Sequence, residues 1–572
     1  MQEISAKTPW KNHLGELPMH IDYFSGTMFE AVEQAAKQYP TYAALRFCEK
    51  TTDYQELLRG IERCARALRA VGVGRGDCVT IALPNCPQAV YVLYAVNLIG
   101  GVANVIHPLS AEKEIEFYLN ESESAAAVTL DSLYSKFAAV SSRTKLRCLI
   151  VTALSDELSA PQTSDNVPAE AGSASEMAGV TVLRWTQFLR GGEEYSGTVR
   201  AAASEDDPAV ILYTGGTTGA TKGAVLTNRS CNAAGKQVIA TNKATTPGYR
   251  ILAVLPMFHG YGLIVCIHAP LSRGGCSILI PRFYAADCAE EILRSRCNIL
   301  AGVPTMYEAL MRQPCMNDAD LGFLTGVYSG GDCLRPDQKK RLNGFLSAHG
   351  SPVSVREGYG TTETSSACCL TPPHESRDGS VGLPFPDTYI KIVVPGTDRE
   401  LAYGEEGEIL VSGPSVMQGY LHHPRETAET LRRHDDGLTW LYTGDLGKMD
   451  EDGFVYFCGR AKRMIVTSGY NVYPEQIEKV LDTCKPVQMS CVIGVPDPLK
   501  IQRIKAFIRL KPGAVPDDRT RRQILDACEK SVAKYALPAE IEFRSELPTT
   551  PVGKVAYREL EEEERKKRQE CR

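Results

Sequence analysis

Segments with a helical pattern of apolar residues alternate along most of this chain with short apolar runs. In residues 54–71 the apolar side chains recur every three or four positions, which predicts an amphipathic helix, and residues 29–38 show the same pattern. Residues 78–83 form a short apolar run that ends at Pro84, which predicts a buried strand. Helices that alternate with short buried strands indicate an α/β fold with parallel sheets, in which ligands bind at the carboxyl ends of the strands.

The most apolar stretch of the chain covers residues 89–106. It is interrupted by Asn97, Gly100, Gly101 and Asn104, so the pattern predicts a buried helix that runs into a strand and not a transmembrane segment. Residues 1–5 show no basic segment before an apolar core, so we expect no signal peptide. We therefore expect a cytoplasmic protein without a transmembrane segment.

Length and charge narrow the class of protein. A chain of 572 residues is expected to form two or more domains. Its 43% of apolar and 23% of charged residues are typical of globular proteins. The formal net charge of −6 gives no reason to expect nucleic acid or an anionic membrane as a partner.

The cysteines are numerous but show no pattern of a disulfide framework or zinc site. There are 19 of them, no two form a C-x-x-C pair, and many, such as Cys266, stand in apolar runs. We expect reduced thiols that pack in the core. For Cys368 and Cys369 we likewise favour plain packing over a place in a pocket.

Changes in composition suggest how the chain is divided. Residues 155–180 are rich in Ser, Ala, Glu, Pro and Thr, which predicts a surface loop or flexible insertion. After residues 459–463, apolar runs at 491–495 and 504–510 and a helix at 520–535 predict a small α+β unit. The predicted domains are residues 1–459 and 463–558, and a charged tail at 559–572 is typical of a solvated helix or a frayed end.

A loop rich in glycine and threonine follows the apolar run 209–212, which we expect to be a buried strand. Residues 213–223 contain four glycines, four threonines and Lys222. Glycine lets backbone N–H groups approach an anion, threonine adds hydroxyl donors, and lysine adds a positive charge. The loop is not a Walker A motif, because Lys222 is followed by Gly223 and not by Ser or Thr. It is predicted to bind phosphate, and a flexible connector is an equal alternative for this loop alone.

Further motifs suggest contacts to a nucleotide. In residues 357–364 an aromatic ring flanked by glycines can face a planar base, Thr362 offers a hydroxyl to phosphate, and Glu363 offers a hard oxygen to Mg²⁺. Asp445 follows a tight turn and can accept from both hydroxyls of a ribose. Residues 459–463 offer a second sugar or phosphate contact, and Lys554 stands in a constrained loop near the C-terminus. Taken singly, each motif is more often an ordinary turn or an exposed charge.

Together and in this order, the motifs resemble those of the adenylate-forming superfamily, which contains acyl-CoA synthetases, peptide-synthetase adenylation domains and beetle luciferases. The resemblance covers residues 28–557 and includes residues 255–262, 329–332 and 464–478. It implies a large N-terminal domain of αβ-layered subdomains and a small C-terminal α+β domain that rotates on a hinge.

The resemblance implies a role for each matching residue. The residues that would bind ATP are Thr214, Gly215, Gly216, Thr217, Thr218, Gly219 and Lys222 at the β- and γ-phosphates, Gly330, Gly331 and Tyr359 at the adenine, Gly360 and Thr361 beside them, and Asp445 and Arg460 at the ribose. The residues that would act in the reaction are Thr362 at the α-phosphate, Glu363 as the Mg²⁺ ligand, Lys554 between the acyl carboxylate and the α-phosphate, His259 as the gate of the acyl pocket, Lys462 as the hinge and Gly469 at the pantetheine tunnel. Thr221 stands where the family usually has proline, which removes no phosphate donor.

The implied reaction has two steps. ATP would convert a carboxylic acid into an acyl-adenylate with release of pyrophosphate, and coenzyme A would then take the acyl group as a thioester. Peptide-synthetase domains usually place an aspartate at the position of His259, and no carrier-protein motif follows Lys554, so a fatty or aryl acid and free CoA are favoured.

Two alternatives stay open at this point. One is a stand-alone ligase from the same superfamily that loads a separate carrier protein. The other is a non-catalytic homologue that binds nucleotide or ligand without turnover. For His259 alone, a buried structural role is the alternative to a gate. The sequence predicts neither the chain length of the acid nor the oligomeric state.

Overall fold

The computed structural model describes residues 7–158, 175–177, 179–214, 221–242, 245–460, 463, 465–467, 470–472, 474–497, 501–532, 536–549 and 555–570. The chain forms two compact units. The first comprises Met1–Ile390, Val411–Tyr442 and Asp452–Phe454, and the second comprises Lys391–Leu410, Thr443–Glu451 and Val455–Arg572.

The strands are short and mostly buried. In chain order they are β1 Ala43–Phe47, β2 Lys50–Asp53, β3 Cys78–Ala82, β4 Val102–Val105, β5 Ala126–Leu130, β6 Cys148–Thr152, β7 Ser175–Met177, β8 Val180–Arg184, β9 Pro208–Thr214, β10 Lys222–Thr227, β11 Arg250–Ala253, β12 Cys276–Leu279, β13 Ile299–Gly302, β14 Gly326–Ser329, β15 Val355–Gly360, β16 Ala367–Leu370, β17 Leu383–Pro384, β18 Tyr389–Val393, β19 Gly407–Ser412, β20 Gly419–Tyr420, β21 Leu431–Arg433, β22 Thr439–Met449, β23 Val455–Arg460, β24 Ile465–Thr467, β25 Tyr470–Val472, β26 Val487–Asp497, β27 Ile501–Leu510 and β28 Glu540–Arg544.

The helices alternate with these strands through most of the chain. The α-helices are α1 Met28–Gln38, α2 Tyr54–Ala70, α3 Pro87–Leu98, α4 Glu112–Glu121, α5 Tyr134–Ser141, α6 Trp185–Glu193, α7 Asn228–Ala240, α8 Ala269–Leu271, α9 Ala285–Ser295, α10 Pro304–Leu310, α11 Pro336–Ala348, α12 Pro424–Thr430, α13 Pro474–Thr483, α14 Asp518–Ser531 and α15 Tyr557–Glu570. A π-helix, Tyr261–His268, leads into α8, and short 3₁₀ helices span Pro9–His13, Asp131–Leu133, Leu154–Glu157, Pro314–Met316 and Thr362–Thr364.

Two twisted, largely parallel sheets form the first unit. One has the strand order β17-β16-β15-β14-β13-β11-β12-β1-β2, and the other has the order β20-β10-β9-β4-β3-β5-β6-β8-β7. The second sheet has antiparallel pairs at both ends, because β10 runs back along β9, β20 runs back along β10, and β7 is antiparallel to β8. The predicted α/β class with parallel sheets is therefore confirmed, and helices cover the sheets as expected from their buried strands.

Local sequence explains the helices that were predicted from periodicity. Asp53 caps α2 by accepting from the N–H of Glu56, whose side chain accepts in turn from the N–H of Asp53. The buried face of α2 includes Leu57, Ile61 and Leu68, as its pattern predicts. Helix α3 is buried all round and leads into β4, so residues 89–106 form the predicted helix and strand. Within the described residues, no helix combines the length and the apolar character that a membrane crossing needs.

The second unit contains the smaller sheet that the sequence predicted as α+β. This sheet has the order β25-β24-β27-β26, with β28 beside β27, and α13 and α14 supply buried apolar residues to its core. A further sheet has the order β18-β19-β22-β21, with β23 beside β22. In the sequence, the predicted boundary at residues 459–463 covers the end of β23 and precedes β24. That a mobile domain begins there stays a prediction.

The charged tail differs from the prediction of a solvated helix or a frayed end. Helix α15 is present, but one face of it is packed, because Leu560 is fully buried against Ile493 and Phe507. One turn later Glu564 accepts from Lys505, with 3.0 Å between the charged atoms. A single leucine among many charges gives little periodicity, and its burial depends on a strand that lies far away in sequence.

The Ser-rich stretch and the helix at 520–535 also differ in detail from their predictions. Residues 159–174 and 178 lie outside the described residues, but Ser175–Met177 forms β7 and pairs with β8, so this part is a strand and not a loop. Helix α14 ends at Ser531, and residues 533–535 lie outside the described residues.

The cysteines of the described residues are free thiols, and most are buried as predicted. Burial raises the pKa of five of these thiols to about 12, namely those of Cys86, Cys148, Cys231, Cys266 and Cys276. These thiols are therefore protonated at neutral pH. Cys368 and Cys369 lie buried in β16, which supports the packing interpretation. Cys48, Cys315 and Cys333 are exceptions, because they are exposed.

Candidate functional site

The ends of the glycine- and threonine-rich loop face each other on the antiparallel strands β9 and β10. Thr214 ends β9, Lys222 begins β10, and the two residues are paired across the ladder. Gly215, Gly216, Thr217, Thr218 and Gly219 lie outside the described residues. The hairpin therefore brings a hydroxyl and an ammonium group to the base of the loop that was predicted to bind phosphate.

Tyr420 on β20 links this lysine to the predicted metal ligand. The Nζ of Lys222 lies 5.0 Å from the centroid of the Tyr420 ring, within the range of a cation–π interaction. The hydroxyl of Tyr420 donates to Oε1 of Glu363 at 2.8 Å. Burial raises the pKa of Tyr420 well above its usual range, and the charge of Glu363 adds to the shift. Tyr420 therefore stays a hydrogen-bond donor at all ordinary pH values.

The segment that carries Thr362 and Glu363 is held by its own backbone and by its neighbours. Residues Thr362–Thr364 form a 3₁₀ helix that packs against β9 and β10. Oγ1 of Thr364 accepts from the N–H of Thr361 at 2.9 Å, and the carbonyl of Glu363 accepts from the N–H of Met417 at 2.8 Å. The structure thus brings Thr362 and Glu363 to β9, which ends at Thr214, and to β10, which begins at Lys222.

Thr361 and Gly360 lie directly before this helix. The hydroxyl of Thr361 could bind a ligand, and Gly360 lies where two backbone segments approach each other. The hydroxyl of Thr361 is buried and has no hydrogen-bond partner within the described part of the chain, so a ligand oxygen would satisfy it. A Cβ on Gly360 would lie 2.0 Å from the carbonyl oxygen of Ser366. Gly360 is therefore required by the approach of two backbone segments, whether or not it also touches a nucleotide.

The predicted adenine-binding residues meet at one edge of a parallel sheet. Gly330 and Gly331 directly follow β14, and Tyr359 lies near the end of the neighbouring strand β15. Gly331 has a φ of +75°, which favours glycine, and Tyr359 is mostly buried. Lys339 anchors β15 from α11 through a buried ion pair with Glu357 at 2.8 Å. The sheet places these residues where α/β folds bind ligands.

His259 lies in a cluster of tilted rings with Phe258 and His107. The ring centroids of Phe258 and His259 are 4.5 Å apart, and those of His107 and Phe258 are also 4.5 Å apart. Burial lowers the pKa of His107 below its usual value, because the charged form loses hydration. The role of His259 as the gate of an acyl pocket stays a prediction.

The glycines after His259 have a packing reason of their own. A Cβ on Gly260 would lie 2.0 Å from the carbonyl oxygen of Ser365, and a Cβ on Gly262 would lie 2.2 Å from the carbonyl oxygen of Pro256. Ser365 itself has a φ of +61°, and its hydroxyl donates to the carbonyl of Ser415 at 2.8 Å. The close approach of Gly260 therefore connects the predicted acyl-binding segment with the segment of Thr362 and Glu363.

In the second unit, the two predicted ribose ligands are paired. Asp445 on β22 lies directly opposite Arg460 on β23, and 3.2 Å separate Oδ1 of Asp445 from Nε of Arg460. Asp445 is buried, and its N–H donates to Oγ1 of Thr443 at 3.0 Å. Gly444 has a φ of +68°, and its N–H donates to Oε1 of Glu408 at 3.0 Å. The tight turn predicted before Asp445 is wrong, because residues 439–449 form the continuous strand β22, in which Gly444 has a positive φ and the Glu408 carboxylate holds its N–H.

The predicted hinge and catalytic lysine, Lys462 and Lys554, lie outside the described residues, as does Gly469. The residue after the predicted hinge, Arg463, forms ion pairs with Glu475 and Glu478, with N···O distances of 3.0 and 2.6 Å. Its guanidinium also lies 4.7 Å from the ring centroid of Tyr557. Arg463 is therefore a structural cation of this unit, in contrast to the sugar or phosphate contact predicted for residues 459–463 as a group.

The ends of the segment that contains Lys554 are held together. Thr549 and Val555 form an isolated antiparallel bridge, and the N–H of Ala556 donates to the carbonyl of Pro548 at 2.8 Å. Helix α15 begins immediately afterwards at Tyr557. The described residues therefore fix both ends of residues 550–554.

Sequence reasoning missed Tyr420 and Glu408, which support the predicted site residues. Tyr420 bonds to a residue 57 positions away, and Glu408 bonds to a residue 36 positions away. Neither has a local spacing that signals such a bond.

Comparison with known proteins gives consistent matches over the whole chain. Residues 32–421 match the family described as AMP-binding enzyme, and residues 476–554 match the AMP-binding enzyme C-terminal domain. The chain is 32% identical to the long-chain-fatty-acid–CoA ligase of Bacillus subtilis strain 168, over 98% of this chain and 99% of the relative. It is also 32% identical to the long-chain-fatty-acid–CoA ligase of Salmonella typhimurium, over 95% of both chains.

Solved structures show the same architecture. ATP-bound MatB from Rhodopseudomonas palustris is 27% identical, with a TM-score of 0.79 over 94% of this chain and 99% of that chain. The fatty acyl CoA synthetase of Mycobacterium tuberculosis is 25% identical, with a TM-score of 0.67 over 94% of this chain and 98% of that chain.

Proposed function

This chain belongs to the AMP-binding enzyme family, and from that premise we propose that it is an acyl-CoA synthetase that activates a long-chain fatty acid. The resemblance to the adenylate-forming superfamily is confirmed, and the chain is an AMP-forming acid–CoA ligase. ATP and CoA are the substrates that accompany the acid. The choice of a long-chain acid is supported by relatives of that name at 32% identity over nearly the full length.

One arrangement in the first unit carries the proposal. Lys222, Tyr420 and Glu363 form a continuous series of contacts beside Thr362, so a cation, a carboxylate and a hydroxyl are placed on one scaffold. A site that joins two anions needs positive charge, which the lysine supplies directly and the carboxylate can supply by binding a metal ion. A carboxylate and a triphosphate repel each other strongly when water is excluded, unless fixed positive charges lie close to the oxygens that react.

The first step joins the acid to AMP. A carboxylate oxygen attacks the α-phosphorus, a new O–P bond forms, and the bond from the α-phosphorus to the bridging oxygen breaks, so pyrophosphate leaves with that electron pair. We assign Lys222 and the loop after Thr214 to the departing phosphates, Thr362 to the α-phosphate and Lys554 to the oxygens between which charge moves. In the second unit, Asp445 and Arg460 are assigned to the ribose hydroxyls.

Glu363 has the chemistry of a magnesium ligand. It presents a hard carboxylate oxygen, and one of its oxygens is already oriented by Tyr420. Two residues away lies the hydroxyl of Thr361, which has no hydrogen-bond partner among the described residues. Mg²⁺ held there would neutralise phosphate charge during adenylate formation.

The second step forms the thioester. The sulfur of CoA attacks the carbonyl carbon of the acyl-adenylate, the C–O bond to the phosphate breaks, and AMP leaves with the former carboxylate oxygen. An acyl-adenylate is a mixed anhydride that water would hydrolyse, so the enzyme must exclude water until the thiol arrives. We assign the entry of the thiol to the loop of Gly469, whose missing side chain suits a narrow channel.

We also propose a cytoplasmic location, which the free thiols of the described cysteines support.

The proposal is tested by the products formed from a panel of acids. With Mg-ATP and CoA, a long-chain fatty acid should give AMP, pyrophosphate and acyl-CoA in equal amounts, and benzoate and short fatty acids should give less. Chromatography of nucleotides and thioesters measures all three products. ADP and phosphate as the main products would contradict the proposal. Thioester that forms only on an added carrier protein would contradict the choice of free CoA.

A further inference from the structure

We propose that Tyr420 is a positioning residue for Mg-ATP, which holds Lys222 and Glu363 in place and prevents their opposite charges from pairing with each other. The inference rests on the proposed function, because it concerns the same nucleotide site. No predicted site motif contains Tyr420, and its part follows from the contacts of its side chain with a cation and with an anion.

The main chain around Tyr420 is fixed from two sides. On one side β20 pairs with β10, and the flanking N–H groups of Gln418 and Leu421 donate to the carbonyls of Val225 and Gly223 at 2.9 and 2.8 Å. On the other side the N–H of Tyr420 donates to Oγ1 of Thr427 at 2.9 Å. The ring is therefore carried by a strand whose register is set by the strand of Lys222.

The same strand segment also holds the backbone of the carboxylate. The N–H of Met417 donates to the carbonyl of Glu363 at 2.8 Å, and the carbonyl of Ser415 accepts from the hydroxyl of Ser365 at 2.8 Å. Glu363 is thus held at its main chain by the residue before β20 and at its side chain by Tyr420. Both contacts come from residues 415–420, so this segment sets the position of Glu363.

Tyr420 offers each charge a different part of its side chain. The Lys222 ammonium lies over the ring face, where the electron density of the ring attracts a cation. The Glu363 carboxylate accepts from the hydroxyl, which is a charge-assisted hydrogen bond at 2.8 Å. One oxygen of the carboxylate is thereby engaged, and Oε2 is the atom that a cation would bind.

The separation of the two charges matters for the substrate. Among the ion pairs of the described residues, none joins Lys222 to Glu363, although both contact the same ring. Long side chains of opposite charge attract each other when they can meet. A direct pair would neutralise the ammonium that ATP phosphates need and the carboxylate that a metal ion needs. Tyr420 satisfies both groups without neutralising either.

The test measures how strongly Mg²⁺ improves the binding of ATP, by calorimetric titration of the full-length protein with ATP in the presence and absence of Mg²⁺. Tyr420→Phe keeps the ring and removes the hydroxyl, so ATP alone should bind as in the wild type. The improvement by Mg²⁺, which is the ratio of the Kd for ATP without Mg²⁺ to the Kd with Mg²⁺, should fall about tenfold. Tyr420→Leu removes the ring as well, so ATP alone should also bind more weakly. In a Glu363→Gln background, Tyr420→Phe should cause little further change, because the two residues act together.

Tyr23→Phe is the matched control. Its hydroxyl donates to the carboxylate of Asp387 at 2.9 Å in the same unit, but it belongs to none of the nucleotide motifs. It should lose a similar amount of thermal stability to Tyr420→Phe and keep the full improvement by Mg²⁺. An equal loss of that improvement in Tyr23→Phe would overturn the inference, because the effect would then be general.

The outcomes separate this inference from the proposed function. If the wild type binds no Mg-ATP, the proposed function is wrong. If the wild type binds Mg-ATP and Tyr420→Phe keeps the full effect of Mg²⁺, only the positioning role is wrong. The KM for the fatty acid gives an independent readout, and it should stay unchanged in Tyr420→Phe while the KM for Mg-ATP rises.

Discussion

Replacement of Lys554 by alanine should abolish adenylate formation and leave thioester formation from ready-made acyl-adenylate and CoA largely intact. Lys554 is proposed to act only where the carboxylate meets the α-phosphate, so the second step does not need it. Loss of one group that stabilises developing charge costs about 10²–10³ in rate, and the first step should fall by at least that factor. Pyrophosphate release measures the first step, and acyl-CoA formed from synthetic acyl-adenylate measures the second.

The structure makes this variant a clean test. Thr549 and Val555 pair on either side of the segment that contains Lys554, and α15 packs its Leu560 into the core of the second unit. These contacts use the backbone and other side chains, so removal of the Lys554 side chain should leave the unit folded. An unchanged thermal unfolding midpoint checks this.

Gly469→Leu is the complementary variant. A leucine side chain should obstruct the proposed path of the thiol, so adenylate should form while thioester formation fails. Lys462→Pro, which fixes φ at the proposed hinge, should leave one half-reaction largely intact. If all three variants lose both steps equally, the two steps share one fixed arrangement of residues, and the proposed hinge must be abandoned.

Asp445→Ala should lower kcat/KM for ATP by roughly 10–150-fold, with a much smaller effect on kcat/KM for the fatty acid at saturating ATP. The factor corresponds to about 1.5–3 kcal/mol for the lost hydrogen bonds between a carboxylate and the ribose hydroxyls. Asp445 is buried in β22 and paired with Arg460 at 3.2 Å, so its carboxylate is already oriented before ATP arrives. Steady-state kinetics with each substrate varied in turn measures the two values.

Two further variants separate ribose binding from damage to the hairpin of β22 and β23. Asp445→Asn keeps the shape and one acceptor oxygen but loses the charge and the second acceptor, so it should retain more activity than Asp445→Ala. Asp450→Asn alters a carboxylate near the end of the same strand, where it accepts from Tyr456 at 3.0 Å, and it should leave ATP kinetics unchanged. Equal losses in Asp445→Ala and Asp450→Asn would show that the hairpin, and not a ribose contact, is affected.

The spacing of apolar residues predicted those helices and strands whose burial depends on residues close together in the sequence. The face of α2 that contains Leu57, Ile61 and Leu68 is buried as its periodicity indicated, and residues 89–106 form a helix and a strand. Asp445 and Arg460 lie opposite each other in one ladder, and the ribose contact that the family motifs implied for them stays a prediction. These predictions succeed because burial of one helix face, or of a short apolar run, is decided by a few adjacent residues.

Contacts between distant segments were beyond the reach of these patterns. The bond from Tyr420 to Glu363 joins residues 57 positions apart, and nothing in the sequence beside either of them signals it. The burial of Leu560 in α15 has the same origin, because its partners lie on strands in another part of the chain. The need for glycine at position 260 has a similar origin, because it follows from the approach of the Ser365 carbonyl, which lies far away in sequence.

The transfer of oxygen from the acid to AMP tests the proposed chemistry most directly. A long-chain fatty acid with oxygen-18 in both carboxylate oxygens is converted in the presence of Mg-ATP and CoA, and mass spectrometry follows the label. An acyl-adenylate requires that one labelled oxygen leaves with AMP and that the other stays in the thioester carbonyl. Unlabelled AMP, or label in pyrophosphate or phosphate, would contradict an attack of the carboxylate on the α-phosphorus.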